Sequence, residues 1–169
     1  MIARLTNERG TSLIETAIAS GILLVVMAGL LSMAALATTY TENHGHLEAR
    51  TTEYAQDKME QLLVLAYGDS LSDTVTFPAA GSGGTGLTVG GSVNTAAPVN
   101  GYVDWLKQDG SLLGGGATPP TDWFYERVWQ ITNPTSGIKL ITVTSTVRSS
   151  VGRALIPKST VAVLKASQF

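Results

Sequence analysis

The chain contains no cysteine. Structural disulfides, thiol catalysis and thiolate metal sites are therefore excluded, and the redox compartment cannot be read from cysteine usage. Charge is also sparse: charged residues make up 14% of the chain and the formal net charge is −2, so no basic excess points to nucleic acid as a partner. Histidine occurs only at His44 and His46. On a helix these two project about 200° apart and cannot share a metal ion, whereas His44 and Glu48 stand on one face. Solvated surface histidines are the plain reading, and no metal site is expected. Proline is missing before Pro78, so nothing in that length compels a helix to break. Charge is missing altogether between Glu15 and Glu42, a run of about 26 positions.

That run is longer than the ~20 apolar residues a helix needs to cross hydrocarbon. It predicts one membrane-spanning helix over 11–40. Arg4 and Arg9 precede it, and the positive-inside tendency then keeps the N-terminus cytoplasmic and sends the chain beyond Tyr40 outward. From Thr41 the sequence turns polar, yet Ala55, Met59, Leu62, Leu63 and Ala66 recur at helical steps of three and four. The helix is expected to continue outside the membrane over 41–67 and to stop at Gly68, where glycine accepts a left-handed closing conformation. As one helix, Thr11 to Tyr67 would span roughly 86 Å.

The remainder, 68–169, reads as a β-sheet head. Its portion from 79 to 120 is rich in Gly, Ala, Ser, Thr and Pro, with short pieces at Leu87–Val89 and Tyr102–Leu106 that suit minor strands. Trp123, Tyr125, Trp129 and Ile131 fall on one face of an extended segment, and Ile138–Val147 is rich in β-branched residues. Asn133, Pro134 and Gly137 separate the two and predict a hairpin. Ser159–Lys165 supplies a third strand. The aromatic face is the natural cover for the Leu62/Leu63 side of the helix. The fold expected is α+β, with a long N-terminal helix packed on a small antiparallel sheet.

The membrane edge carries the informative motif: Gly10-Thr11-Ser12-Leu13-Ile14-Glu15 follows a short basic leader. Here the chain resembles the type IV pilins and type II secretion pseudopilins, which share a leader, a Gly before the cut and Glu at the fifth mature position. The run Tyr54 to Leu62 is similar to the post-membrane helix of minor pilins. The resemblance is specific over the first 67 residues and general beyond them. It implies a leader peptide of 1–10 removed between Gly10 and Thr11 by prepilin peptidase, N-methylation of Thr11, and a subunit-assembly role for Glu15 through the free amino terminus of a neighbour. It implies as partners the major pilin, other minor pilins or pseudopilins, an inner-membrane assembly platform, and membrane lipid before assembly. Localisation would be the inner membrane and then the filament. Thr11 replaces the usual Phe, Ser32 stands where many major pilins have Pro, and the disulfide-closed loop of many pilins is impossible. These departures place the chain nearer the minor pilins and pseudopilins.

Physics gives Glu15 independent weight. A carboxylate in an apolar span costs up to roughly 3 kcal/mol at the bilayer centre and marks function by default. Against this stands the reading of Glu15 as a solvated headgroup residue near the helix start. The rival for the whole N-terminus is a secretory signal peptide, since Ala35-Leu36-Ala37 imitates a cleavage site and a cut after Ala37 would release a soluble extracytoplasmic domain. A signal-anchored enzyme is the second rival, but catalytic motifs are lacking: Gly81 to Gly86 has dinucleotide-fingerprint spacing without a preceding strand or following helix, and reads as a flexible loop. No serine lies in a nucleophile elbow. Trp105, Trp123 and Trp129 could suggest a sugar-binding face, though the latter two read as core. No enzymatic activity and no cofactor are expected.

Overall fold

The computed structural model describes residues 11–149 and 156–167. The chain divides into two units, one ending at Glu42 and the other starting at Asn43.

The first unit is helical throughout its described residues and forms the opening part of α1, Thr11–Val64. Neither Gly21 nor Gly29 interrupts it, and Ser32 donates to the Ala28 carbonyl at 2.8 Å, helix geometry retained where a proline would remove a bond. Every large apolar side chain from Leu13 to Leu36 is at least half exposed. Hydroxyls in this stretch turn inward: Thr16, Thr38, Thr39 and Thr41 each donate to a carbonyl four residues back, at 2.9 to 3.0 Å. Such back-bonding hides a polar group on an apolar helix. Near the N-terminus the helix is thus long and apolar enough to cross a membrane.

In the second unit the rest of α1 packs on a six-stranded antiparallel sheet. Its strands are β1 (Gly90–Gly91), β2 (Val103–Leu106), β3 (Leu112–Gly115), β4 (Tyr125–Thr135), β5 (Ile138–Val147) and β6 (Lys158–Ala166). The order is β3-β2-β4-β5-β6, with β1 added to β4 at Ile131 and Gln130. Period-two alternation turns Trp129 and Ile131 of β4, with Ile141 and Val143 of β5, toward Ala55, Met59 and Leu62 of the helix. Leu63, Val161 and Val163 close the margin of this core. The aromatic strand covers the Leu62/Leu63 side of the helix as its pattern predicts.

Several expectations are corrected. Helix α1 ends at Val64 and Gly68 has no left-handed φ, so Gly68 is not the cap. No basic residue lies in the last turn; instead Lys165 of β6 donates to the Leu63 carbonyl at 2.6 Å, and Lys139 of β5 to Tyr67 at 2.6 Å. Lys165 thus satisfies a carbonyl that the helix end leaves open, while Lys139 holds the segment just beyond it. Strand β4 runs through Asn133 and Pro134 with a register irregularity, and the turn falls later, with Gly137 at φ 75°. Trp123 precedes β4 and stacks edge-on against Trp105 at 4.9 Å, in a cluster with Val103 and Val128 on the face opposite Trp129. No common tryptophan face exists, and Trp105 is itself buried.

The Gly-rich segment is also no loose loop. Gly84 and Gly86 donate to Leu71 and Ser72 at 2.9 Å, and Leu87 to Asp69 at 2.8 Å, before Leu87 enters the core. A side chain on Gly86, at φ 51°, would strike Asp69.

Candidate functional site

The anchoring site is built on the first turns of α1. Thr11 opens the helix, while Gly10 and the leader lie outside the described residues. Glu15 follows Thr11 by four residues and therefore stands over the same face. Its side chain is exposed and, among the described residues, has no hydrogen-bond or ion-pair partner. Ile14, Ile18, Ala19 and Ile22 surround it, so a single carboxylate stands in an otherwise apolar surface. The helix places Thr11 and Glu15 at one end of the apolar run and does not bring any other charged side chain of the run to them, since none exists before Glu42.

His44 and Glu48 meet as expected, with Nδ1 to Oε1 at 3.3 Å. Among the described residues no group of three or more metal-ligating side chains forms.

A second constellation, unread in the sequence, lies between helix and sheet. Asp104 of β2 is fully buried and is grasped by Arg127 of β4 through two bonds, Nε to Oδ1 at 2.7 Å and Nη2 to Oδ2 at 2.9 Å. Fully buried Lys58 of α1 reaches the same carboxylate at 2.8 Å, also donates to the Thr74 carbonyl, and stands 4.3 Å from the Trp129 ring centroid. Arg127 Nη1 completes the network on Asp57 of α1 at 2.8 Å. Two cations meet two carboxylates. Burial alone would raise the Asp104 carboxyl, but Lys58 and Arg127 outweigh it and hold the group below the usual carboxylate range. Burial lowers Lys58, and Asp104 offsets this only in part. The network can position the helix on the sheet; its deepest members are closed to solvent and suit no substrate chemistry.

A sequence cue for it did exist. Lys58 follows Ala55 by three and precedes Leu62 by four, which puts an ammonium on the apolar face, while Asp104 and Arg127 interrupt apolar strand runs. Charges at core positions call for partners. Only the tertiary fold identifies them.

The layout, one long apolar N-terminal helix continuing onto an antiparallel sheet, is compatible with a pilin-like fold and with single-pass membrane anchoring. Compared with family models, curated proteins and solved structures, the chain matches none.

Proposed function

We propose that this chain is a structural filament subunit, a minor pilin or pseudopilin, made as a membrane-held precursor and cut after Gly10 by a prepilin peptidase. The observation that carries the reading is the bare apolar surface of α1, which starts at Thr11 and bears Glu15 as its one charge before Glu42. Before assembly, hydrocarbon covers that surface. In the filament, the equivalent helices of neighbouring subunits replace lipid. Glu15 then pairs with the amino terminus freed at Thr11 of an adjoining subunit, an attraction strengthened where water is excluded. Partners on this reading are the peptidase, other pilins or pseudopilins, and an inner-membrane assembly platform. The head carries surface and packing, with no enzymatic role.

Mass spectrometry of the mature N-terminus tests the proposal: the chain is expected to begin at Thr11, with or without a methyl group. A chain beginning at Thr38 would establish secretion by signal peptide instead. Replacing Gly10 with a bulky residue is expected to leave the precursor uncut in the membrane fraction.

A further inference from the structure

The two edges of the sheet are finished differently. Edge strand β3 has four residues, ends in Gly114 and Gly115, and breaks register against β2 near Trp105 and Leu106. Short, irregular edges discourage further pairing. Strand β6, at the opposite edge, has nine residues in unbroken register with β5, from Lys158 on Thr146 to Ala166 on Ile138. It contains neither proline nor glycine, and Ser159 to Leu164 carry no charge.

Hydrogen-bond phase shows which backbone groups of β6 remain open. The Pro157 carbonyl accepts from Val147, and the Ser167 N–H donates to Gly137 at 2.8 Å. In an antiparallel ladder the N–H and C=O of one residue point to the same neighbour and the direction alternates along the strand, so the odd-numbered residues bond β5. Lys158, Thr160, Ala162, Leu164 and Ala166 therefore aim their backbone groups outward, where no described strand bonds to them. Their side chains are exposed as well. Helix α1 engages the odd-numbered side chains instead: Ser159 meets Thr51 and Thr52, and Lys165 holds the Leu63 carbonyl.

Charge selects the visitor. All 13 acidic residues of the chain lie at or before Glu126, whereas six of the 11 lysines and arginines follow it. Strands β5 and β6 thus contain lysines and no carboxylate. Lys139 and Lys165 are taken up by main-chain carbonyls, and Lys158 stands exposed at the start of the outward set. A second β6 would bring only lysines to this edge, whereas an acidic segment complements it.

We propose that the outer edge of β6 receives an extended acidic segment of another protein chain, added as one more antiparallel strand. Main-chain bonds to Thr160, Ala162 and Leu164 supply the attachment, and a carboxylate set against Lys158 supplies the selectivity. This rests on the edge alone and stands whether or not the chain enters a filament.

The full chain in detergent micelles is mixed with the peptide acetyl-Glu-Val-Thr-Val-Thr-Val-Glu-amide, and backbone amide hydrogen exchange is followed by NMR. The same peptide with lysine in place of both glutamates serves as control. The Thr160, Ala162 and Leu164 amides are expected to exchange at least severalfold more slowly with the acidic peptide, and to respond much less to the control. Ala162→Pro removes an outward N–H and no ladder bond to β5, so it is expected to abolish the added protection at Thr160 and Leu164 while the remaining spectrum is kept. Lys158→Gln, at an exposed position, is expected to keep the strand protection and lose the preference for the acidic peptide, which decides the matter should the proline disturb the sheet. Absence of added protection, equal protection by the two peptides, or an undiminished preference in Lys158→Gln overturns the proposal. So does concentration-dependent protection of these amides without peptide, which would assign the edge to a second copy of the chain.

Discussion

Two carboxylates illustrate how one residue type is set to different tasks by its surroundings. Glu126 of β4 is 3% exposed, pairs in register with Trp105 and Thr146, and leaves Oε1 without a hydrogen-bond partner. Burial pushes its carboxyl up to about 7, against a partial opposing pull from Lys158. The folded chain therefore holds this proton more tightly than the unfolded chain. Its contribution favours folding most at pH below the ordinary value of 4.5, declines between 4.5 and about 7, and is flat above. At ~1.4 kcal/mol per unit, the full swing is at most about 3–4 kcal/mol. Glu126→Gln is expected to gain on the wild type as pH rises from 5 to 8 in denaturant unfolding; a difference independent of pH would show that the carboxyl is not buried neutral. Glu15 sits instead in an exposed apolar surface. Glu15→Val is expected to leave cleavage and membrane insertion intact, since anchoring improves by up to ~3 kcal/mol when the charge is removed. On the proposed filament function, incorporation is expected to fall sharply, because a neighbour's amine would then be buried unpaired only in the assembled state. Cleaved protein in the membrane fraction, compared with protein in sheared filaments, separates the two effects, and wild-type incorporation would reduce Glu15 to a headgroup residue.

Between elements, the contact of α1 with the sheet combines an apolar core with a line of polar ties. Thr51 and Thr52 meet Ser159 of β6 at 3.0 and 2.8 Å, Asp57 and Lys58 enter the ionic network, and Lys165 holds the Leu63 carbonyl. The apolar part supplies most of the favourable free energy, at roughly 25 cal/mol per Å². The ties select one register of the helix against the strands, since sliding by a turn would leave buried charges without partners. Asp104→Asn is accordingly expected to destabilise the head by about 3–5 kcal/mol, because Lys58 and Arg127 then remain buried with diminished compensation. Denaturant unfolding measures it, and a loss below 1 kcal/mol would show that water reaches the network. The minor strands illustrate why local pattern failed at this scale. Strands β1 and β3 are short and contain glycine, a residue that strand statistics disfavour. Gly91 nonetheless belongs in the sheet because, at φ 79°, it comes close against the Trp129 carbonyl and the Tyr102 ring, where any side chain would collide. That requirement is invisible until Tyr102 and Trp129 are folded together.

For the whole molecule, the division at Glu42/Asn43 separates a unit built for apolar surroundings from one with its own core. A truncated chain beginning at Tyr40 is expected to be soluble and folded, with mixed helix and sheet in far-UV circular dichroism, because it retains the Ala55, Met59 and Leu62 face and the full sheet. Aggregation, or a spectrum that is mostly helical, would show that the head depends on the N-terminal part of α1. The sequence by itself determined the long apolar helix, its lone carboxylate, the two main hairpin strands, the third strand and the helix face that meets them, since each follows from a periodicity or an absence of charge within a continuous stretch. It left the end of the helix three residues misplaced, the Gly-rich turns loose, and Lys58, Asp104 and Arg127 unconnected. Those features depend on groups distant in the chain: Lys165 of β6 takes a carbonyl of the helix end and Lys139 of β5 the Tyr67 carbonyl just beyond it, residues 69–73 bind the glycine turns, and three elements supply the ionic network. Short-range pattern records which face of an element is apolar, whereas the pairing of buried polar groups is settled only when tertiary packing removes water and leaves each with a single available partner.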